Sequence, residues 1–331
     1  MTIYPIQPVT LGNLRTYPLS SRKSKVTVKD FAKPLSKNPS LQNFLNSLPA
    51  ILAAKDLEQL ASAIHNSKKS RKAILWGLGG HVIKVGLGPV INDLIRRKFI
   101  TGIAMNGAAL VHDFEIALSG GTSEDVDAAL PAGQFGMATE TGLFLNQIAV
   151  TASFKGLGYG EAAGKFLAAR SLQPENAAAS ILVTAYKNKI PVTIHLAIGT
   201  DIPHMHPMAD GSALGAATHH DFRLFCAMVA QMNNGGTYLN WGSAVILPEI
   251  FLKAVAIARN QGLPLKNITT ANFDFIQHYR PLQNVVKRPT AAKDGQSTSR
   301  GLALTGHHEL LMPLLAAALT AGWPKKSSRT K

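Results

Sequence analysis

The chain holds a single cysteine, Cys226, so no disulfide can form within it and its fold rests on a packed core. That usage suits a reducing compartment, and a cytoplasmic location is the expectation. Cys226 lies in the apolar run Leu224-Phe225-Cys226-Ala227-Met228-Val229, which predicts a buried structural thiol rather than a nucleophile. No apolar run reaches the about 20 residues that cross a bilayer, and the start shows no charged-then-apolar leader pattern. A membrane partner is therefore not expected. Acidic residues are scarce: 19 Asp and Glu stand against 34 Lys and Arg, a net charge of +15. The basic clusters are Arg22, Lys23 and Lys25, then Lys68-Lys69-Ser70-Arg71-Lys72, then Lys325 to Lys331. All three lie outside the glycine-rich motifs, and none is interleaved with the aromatic residues that a base-stacking surface needs. They read as a solvated basic fringe. Nucleic acid is not the expected partner, and the charge is left to steer an anionic ligand.

What is present is core-forming. Hydrophobic residues make up 46% and charged residues 16%, which excludes general disorder. Residues 1–38 are basic and broken by Pro5, Pro8, Pro18 and Pro34, which predicts an arm. A single α/β domain is expected over 39–323, and a basic tail over 324–331. Leu41, Phe44, Leu45 and Leu48 form one helical stripe and Leu57, Leu60 and Ile64 another, with Pro49 between them. From there strands and helices alternate. Strands are predicted at Ala73-Ile74-Leu75-Trp76, Ile100 to Met105, Pro191 to Ile198, Thr237 to Asn240, Ile268 to Phe273 and Gly301 to Thr305. Helices are predicted over 82–97 (interrupted by Gly86, Gly88 and Pro89), 108–118, 141–155, 160–188, 216–232, 248–260 and 309–321, with a glycine- and acid-rich loop or lid over 119–140. This order predicts a Rossmann-like parallel sheet with helices on both faces.

Ligands of such sheets bind at the carboxyl ends of the strands. Glycine and polar residues gather at the predicted ends: Gly77-Leu78-Gly79-Gly80-His81, Asn106-Gly107, Gly199-Thr200-Asp201, Trp241-Gly242-Ser243, Thr269-Thr270-Ala271 and Thr305-Gly306-His307-His308. The first could cradle a pyrophosphate or could simply be a tight turn. It departs from the dinucleotide fingerprint, because position 82 is Val and Asn106 stands where an acid would meet the ribose. His112 beside Asp113 has the composition of an acid–base pair. His195, Asp201, His204 and His206 lie close together in sequence, and the H-x-H pair His204-Met205-His206 reads as pocket lining or as part of a metal site.

Trp76-Gly77-Leu78-Gly79-Gly80-His81 and Asn106-Gly107-Ala108-Ala109-Leu110-Val111-His112-Asp113-Phe114-Glu115 resemble the first two strand–helix units of deoxyhypusine synthases. Gly199-Thr200-Asp201, Asp221-Phe222-Arg223-Leu224, Ile268-Thr269-Thr270-Ala271 and Leu310-Leu311-Met312-Pro313-Leu314-Leu315 are similar to later segments of that family, in order, over roughly residues 70–320. The resemblance implies a Rossmann-like homotetramer that binds NAD. The contacts would fall on Gly80, His81, Asn106, Gly107, Asp201, Gly242, Thr270, Gly306 and His307. It does not extend to the catalytic signature. The family's Ser-Asn pair is Gly80-His81 here, its acidic pair is His112-Asp113, its histidine falls on Pro248, and its closing Ala-Asp pair is replaced within Thr305-Gly306-His307-His308-Glu309. Its Trp-Gly-Lys segment has no counterpart, although Lys293 lies nearby in Ala292-Lys293-Asp294-Gly295. The resemblance thus implies an NAD-binding enzyme that acts on a small amine or related metabolite and is not a deoxyhypusine synthase, with His112, Asp113, His204 and His307 as catalytic candidates. A metal-dependent hydrolase or lyase built on the His and Asp cluster, and a non-catalytic scaffold, are the alternatives.

Overall fold

The structure, a computed structural model, describes residues 3–291 and 298–324. Lys293 and the cluster 325–331 lie outside the described residues. The helices are α1 (Leu41–Ser47), α2 (Leu52–Lys69), α3 (Gly80–Lys84), α4 (Gly88–Arg96), α5 (Gly107–Ser119), α6 (Val126–Ala129), α7 (Thr139–Lys155), α8 (Tyr159–Ala168), α9 (Pro174–Ala179), α10 (Ile181–Lys187), α11 (Gly211–Ala230), α12 (Ile246–Asn260), α13 (Tyr279–Pro281) and α14 (His308–Thr320). The strands are β1 (Ile74–Leu78), β2 (Gly102–Asn106), β3 (Val192–His195), β4 (Thr237–Trp241), β5 (Thr269–Asp274) and β6 (Arg300–Thr305). They form one six-stranded sheet in the order β3-β2-β1-β4-β5-β6, and every neighbouring pair is parallel.

Parallel strands must be covered on both faces. β1 is buried along its whole length, and its Trp76 packs against Trp241, which stacks on Phe273 at 3.7 Å. That face lies under α2, α4, α5, α8, α10 and α14. On the other face Tyr238 stacks on Phe251 of α12 at 3.9 Å, and Phe225 of α11 lies beside them. The Tyr238 hydroxyl leans over β1 at a point where a Cβ on Gly77 would meet it at 2.5 Å, so the residue there is glycine. Residues 3–38 hold only short 3-10 turns and no buried residue.

The edge strand β3 needs partners for its outward backbone groups. Helix α11 supplies them. Asp221 accepts from the Ile194 N–H at 2.8 Å and the Gly160 N–H at 3.0 Å, and Thr218 bonds both the Ile194 carbonyl and the Leu196 N–H. One carboxylate therefore seals the sheet edge and caps the start of α8. The stretch expected as one helix over 160–188 is three, because Pro174 opens α9 and the extended Ser180 caps α10. Thr269-Thr270-Ala271 does not end a strand. Thr270 is the second residue of β5, is fully buried, and donates its hydroxyl to the Val285 carbonyl at 2.6 Å, so it is held away from the carboxyl edge.

Asp221→Ala should lower unfolding stability by roughly 3 kcal/mol, since two buried N–H groups lose their acceptor. Urea denaturation measures this, and a loss within about 0.5 kcal/mol would show that the edge does not need the carboxylate.

Candidate functional site

β1 ends at Leu78, and the chain turns through Gly79 into α3. The Gly79 N–H continues the ladder to the Trp241 carbonyl at 2.8 Å. A Cβ on Gly79 would lie 2.4 Å from the Gly242 carbonyl oxygen, so the two backbones touch where the strand order reverses between β1 and β4. Gly242 takes a left-handed φ of 65°, and a Cβ there would lie 2.8 Å from His308. These glycines answer to protein packed against them.

Two groups of side chains flank this turn. Towards β5 and β6, the His81 ring is 5.9 Å from Phe275 and 5.7 Å from His308, and His307 stacks on Phe275 at 6.1 Å. His307 and Phe275 are open to solvent, whereas His308 is buried. The His308 Nε2 donates to the Phe273 carbonyl at 3.1 Å, and its buried Nδ1 has no partner among the described residues. Burial lowers its pKa, and the Phe273 hydrogen bond works against that.

Towards β2, a Cβ on Gly80 would lie 2.9 Å from Ala108 and 3.1 Å from the His112 ring. His112 Nδ1 is 2.8 Å from the Thr122 hydroxyl, which also bonds Glu115, and Glu115 accepts from Thr141 at 3.0 Å. Asn106 caps α5 by accepting from the Ala109 N–H at 2.9 Å. Asp201 packs its carboxylate onto Gly107, where a Cβ would lie 2.2 Å from it, and accepts from the Ala197 N–H at 3.3 Å. Desolvation raises the Asp201 pKa, partly offset by that N–H and by His204.

Of the catalytic candidates, Asp113 turns away from its neighbour His112. It is fully buried and accepts from the Ser180 hydroxyl and the Ile181 and Leu182 N–H groups at 2.7–2.9 Å, which caps α10. Burial pushes its carboxyl up to about 6 against those bonds. His204 accepts from the Gly199 N–H at 3.1 Å, and its buried Nε2 has no partner among the described residues. His206 accepts from the Met208 N–H at 3.1 Å and covers Gly142. His195 is sealed beneath Phe225 with its Nε2 on Thr193, and burial drives its pKa down to about 3. His112, Asp113, His204 and His307 therefore occupy four separate environments and share no bonding partner among the described residues. Among the described residues no three His, Cys, Asp or Glu side chains are grouped to hold a metal. Glu115, Thr122 and Thr141 were absent from the sequence candidates. Glu115 follows His112 by three residues on a helix, which is a readable signal. The return of Thr122 from the loop carries none.

A groove of about 580 Å³ lies at the opposite, amino edge of the sheet, between α2 and the starts of β5 and β6, and is lined by Ser62, Asn66, Asn267, Thr298 and Arg300.

Burial first, then the Lys84 charge, lowers the His112 pKa from its ordinary 6.5 to about 4. A histidine depressed in the folded state gives stability above its unfolded pKa and loses it as pH falls through the folded one. Acidification through this window should therefore destabilise the fold. His112→Gln should flatten that part of a denaturation series run against pH, and an unchanged slope would contradict the assignment.

No family model and no curated protein matches the chain. Among solved structures it is similar to a protein of Methanococcus maripaludis S2 described as LOR/SDH, at a TM-score of 0.48 and 15% identity over 82% of this chain and 70% of that one. It is similar to AgrE, solved with ornithine and NAD+, at 0.47 and 16% over 81% of this chain and 33% of that one. It is also similar to an Entamoeba histolytica protein described as a deoxyhypusine synthase, at 0.46 and 12% over 86% of this chain and 94% of that one.

Proposed function

We propose that this chain is a Rossmann-like enzyme whose ligands, a nicotinamide dinucleotide and a small metabolite, enter at the carboxyl edge of the sheet beside the β1–α3 turn. The observation that carries the reading is the strand order. An all-parallel β3-β2-β1-β4-β5-β6 sheet has its switch point between β1 and β4, and dinucleotides bind outside the strand ends at that point. The side chains there fit the rings of such a cofactor. His81, Phe275 and His307 form an aromatic wall at the ends of β1, β5 and β6, with the Phe275 and His307 rings only 16° from parallel. They do not fit its phosphates in the usual seat. The Gly79 turn is closed by Gly242, and the start of α5, a natural anion site, already carries the Asp201 carboxylate. When bound, the dinucleotide supplies a hydride acceptor. The chain's own residues supply the ring wall on one side of the turn and His112 on the other.

The resemblance also implies an amine substrate. A cationic amine calls for an open carboxylate, but both Glu115 oxygens are bonded to threonines and Asp113 is committed to backbone N–H groups. The metal-dependent alternative lacks a donor set among the described residues. The homotetramer belongs to the same reading. Val245, Phe275, Ile276, Tyr279 and Leu310 lie exposed around the carboxyl edge as an apolar fringe suited to a second copy.

Isothermal titration with NAD+ tests the cofactor. Phe275→Ala should weaken binding about tenfold, because a base stacked on an aromatic ring contributes roughly 1–3 kcal/mol, and Asp201→Asn should tighten it. Absence of binding, or a Phe275→Ala protein that binds as the wild type does, would reject the reading.

A further inference from the structure

The hydrogen bonds around His112 fix which nitrogen carries its proton. Glu115 accepts from two hydroxyls, Thr122 and Thr141. The single Thr122 proton is thus directed at the Glu115 carboxylate, and its oxygen is left to accept from His112 Nδ1 at 2.8 Å. The imidazole is held with its proton on Nδ1 and its lone pair on Nε2. That Nε2 has no hydrogen-bond partner among the described residues, and the His112 side chain is only partly buried. The adjacent Cδ2 edge rests on Gly80, where a Cβ would lie 3.1 Å away, so the absence of a side chain at Gly80 admits the ring to the β1–α3 turn. The charged groups acting on the ring are Lys84 of α3 and, through Thr122, Glu115 of its own helix. Asp113, its sequence neighbour, is directed into the start of α10.

We infer that His112 is a proton-abstracting base whose positioning residues are Thr122 and Glu115, and that its substrate is a small anionic metabolite with a hydroxyl, or a C–H next to a carbonyl, placed against Nε2. In the step the substrate's O–H or C–H proton passes to Nε2 and the bonding electron pair stays on the substrate. The imidazolium so formed shares its Nδ1 proton with Thr122, whose hydroxyl is anchored on the Glu115 carboxylate. The anionic class follows from the Lys84 charge acting on the ring and from the absence, among the described residues, of a carboxylate bonded to it. The inference shares the location of the proposed function but not its cofactor, so failure of NAD+ to bind leaves it standing.

Diethyl pyrocarbonate, which acylates an accessible neutral imidazole, tests it when read by peptide mass spectrometry on the folded full chain. His112 should react and keep its rate as pH falls below about 6.5, where free N-acetylhistidine loses reactivity through protonation. Nitrogen NMR should show a single tautomer, protonated at Nδ1. Thr122→Val should mix the tautomers and slow acylation severalfold, while Thr122→Ser should keep both wild-type features, which a merely structural role for the hydroxyl would not require. Malonate should protect His112 and spermidine should not. An unreactive His112 in the folded protein, a Thr122→Val tautomer identical to wild type, or protection by spermidine but not malonate would each overturn the inference.

Discussion

The contact between the Gly79 turn and the Gly242 carbonyl is the point on which the carboxyl edge is built. It joins the first strand of each half of the sheet, β1 and β4, through bare backbone, and the Gly79 N–H bond to Trp241 extends the ladder across it. With that turn fixed, His308 can lie over Gly242 and His112 can lie against Gly80. Any side chain at these glycines would separate the two halves or displace an imidazole. The strand-end histidines are thereby divided between the two flanks of a single turn, with His81, His307 and His308 on the aromatic flank and His112 on the hydrogen-bonded one.

Buried carboxylates do a second kind of structural work. Asp113 and Asp221 each accept backbone N–H groups at the start of a helix, α10 and α8, and Asp221 also serves the edge strand. Their burial raises both carboxyls, Asp221 to about 7, even against several favourable hydrogen bonds. Perturbed titration here reports desolvation at helix caps. Glu115 differs in its setting: it is half-buried and accepts from hydroxyls.

The sheet was readable because burial on both faces forces short β-branched and aromatic runs. Among the described residues, β1, β3, β4 and β5 carry such runs, whereas β2 and β6 are marked by short apolar runs beside glycine. The breaks at Pro174 and Ser180 were signalled in the sequence by a helix-breaking proline and a capping serine, but the expectation of one helix followed the Ala- and Leu-rich stretches around them. The site was only partly legible. Glycine at 79, 80 and 107 has the composition of a phosphate cradle, yet its cause is packing against Gly242, Ala108 and Asp201, residues remote in sequence. The adjacency of His112 and Asp113 suggested a pair, but neighbours on a helix point about 100° apart. Thr270 resembled a turn residue, and the register of β5 places it in the ladder beside Tyr238.

Hydrogen–deuterium exchange of the full chain, with and without NAD+ and malonate together, addresses the central claim that ligands enter beside the β1–α3 turn. The account expects slowed exchange in 79–84, 106–112 and 275–279, and no change at the amino-edge groove around Ser62, Asn66 and Thr298. Protection confined to that groove, with the β1–α3 turn unaffected, would contradict it.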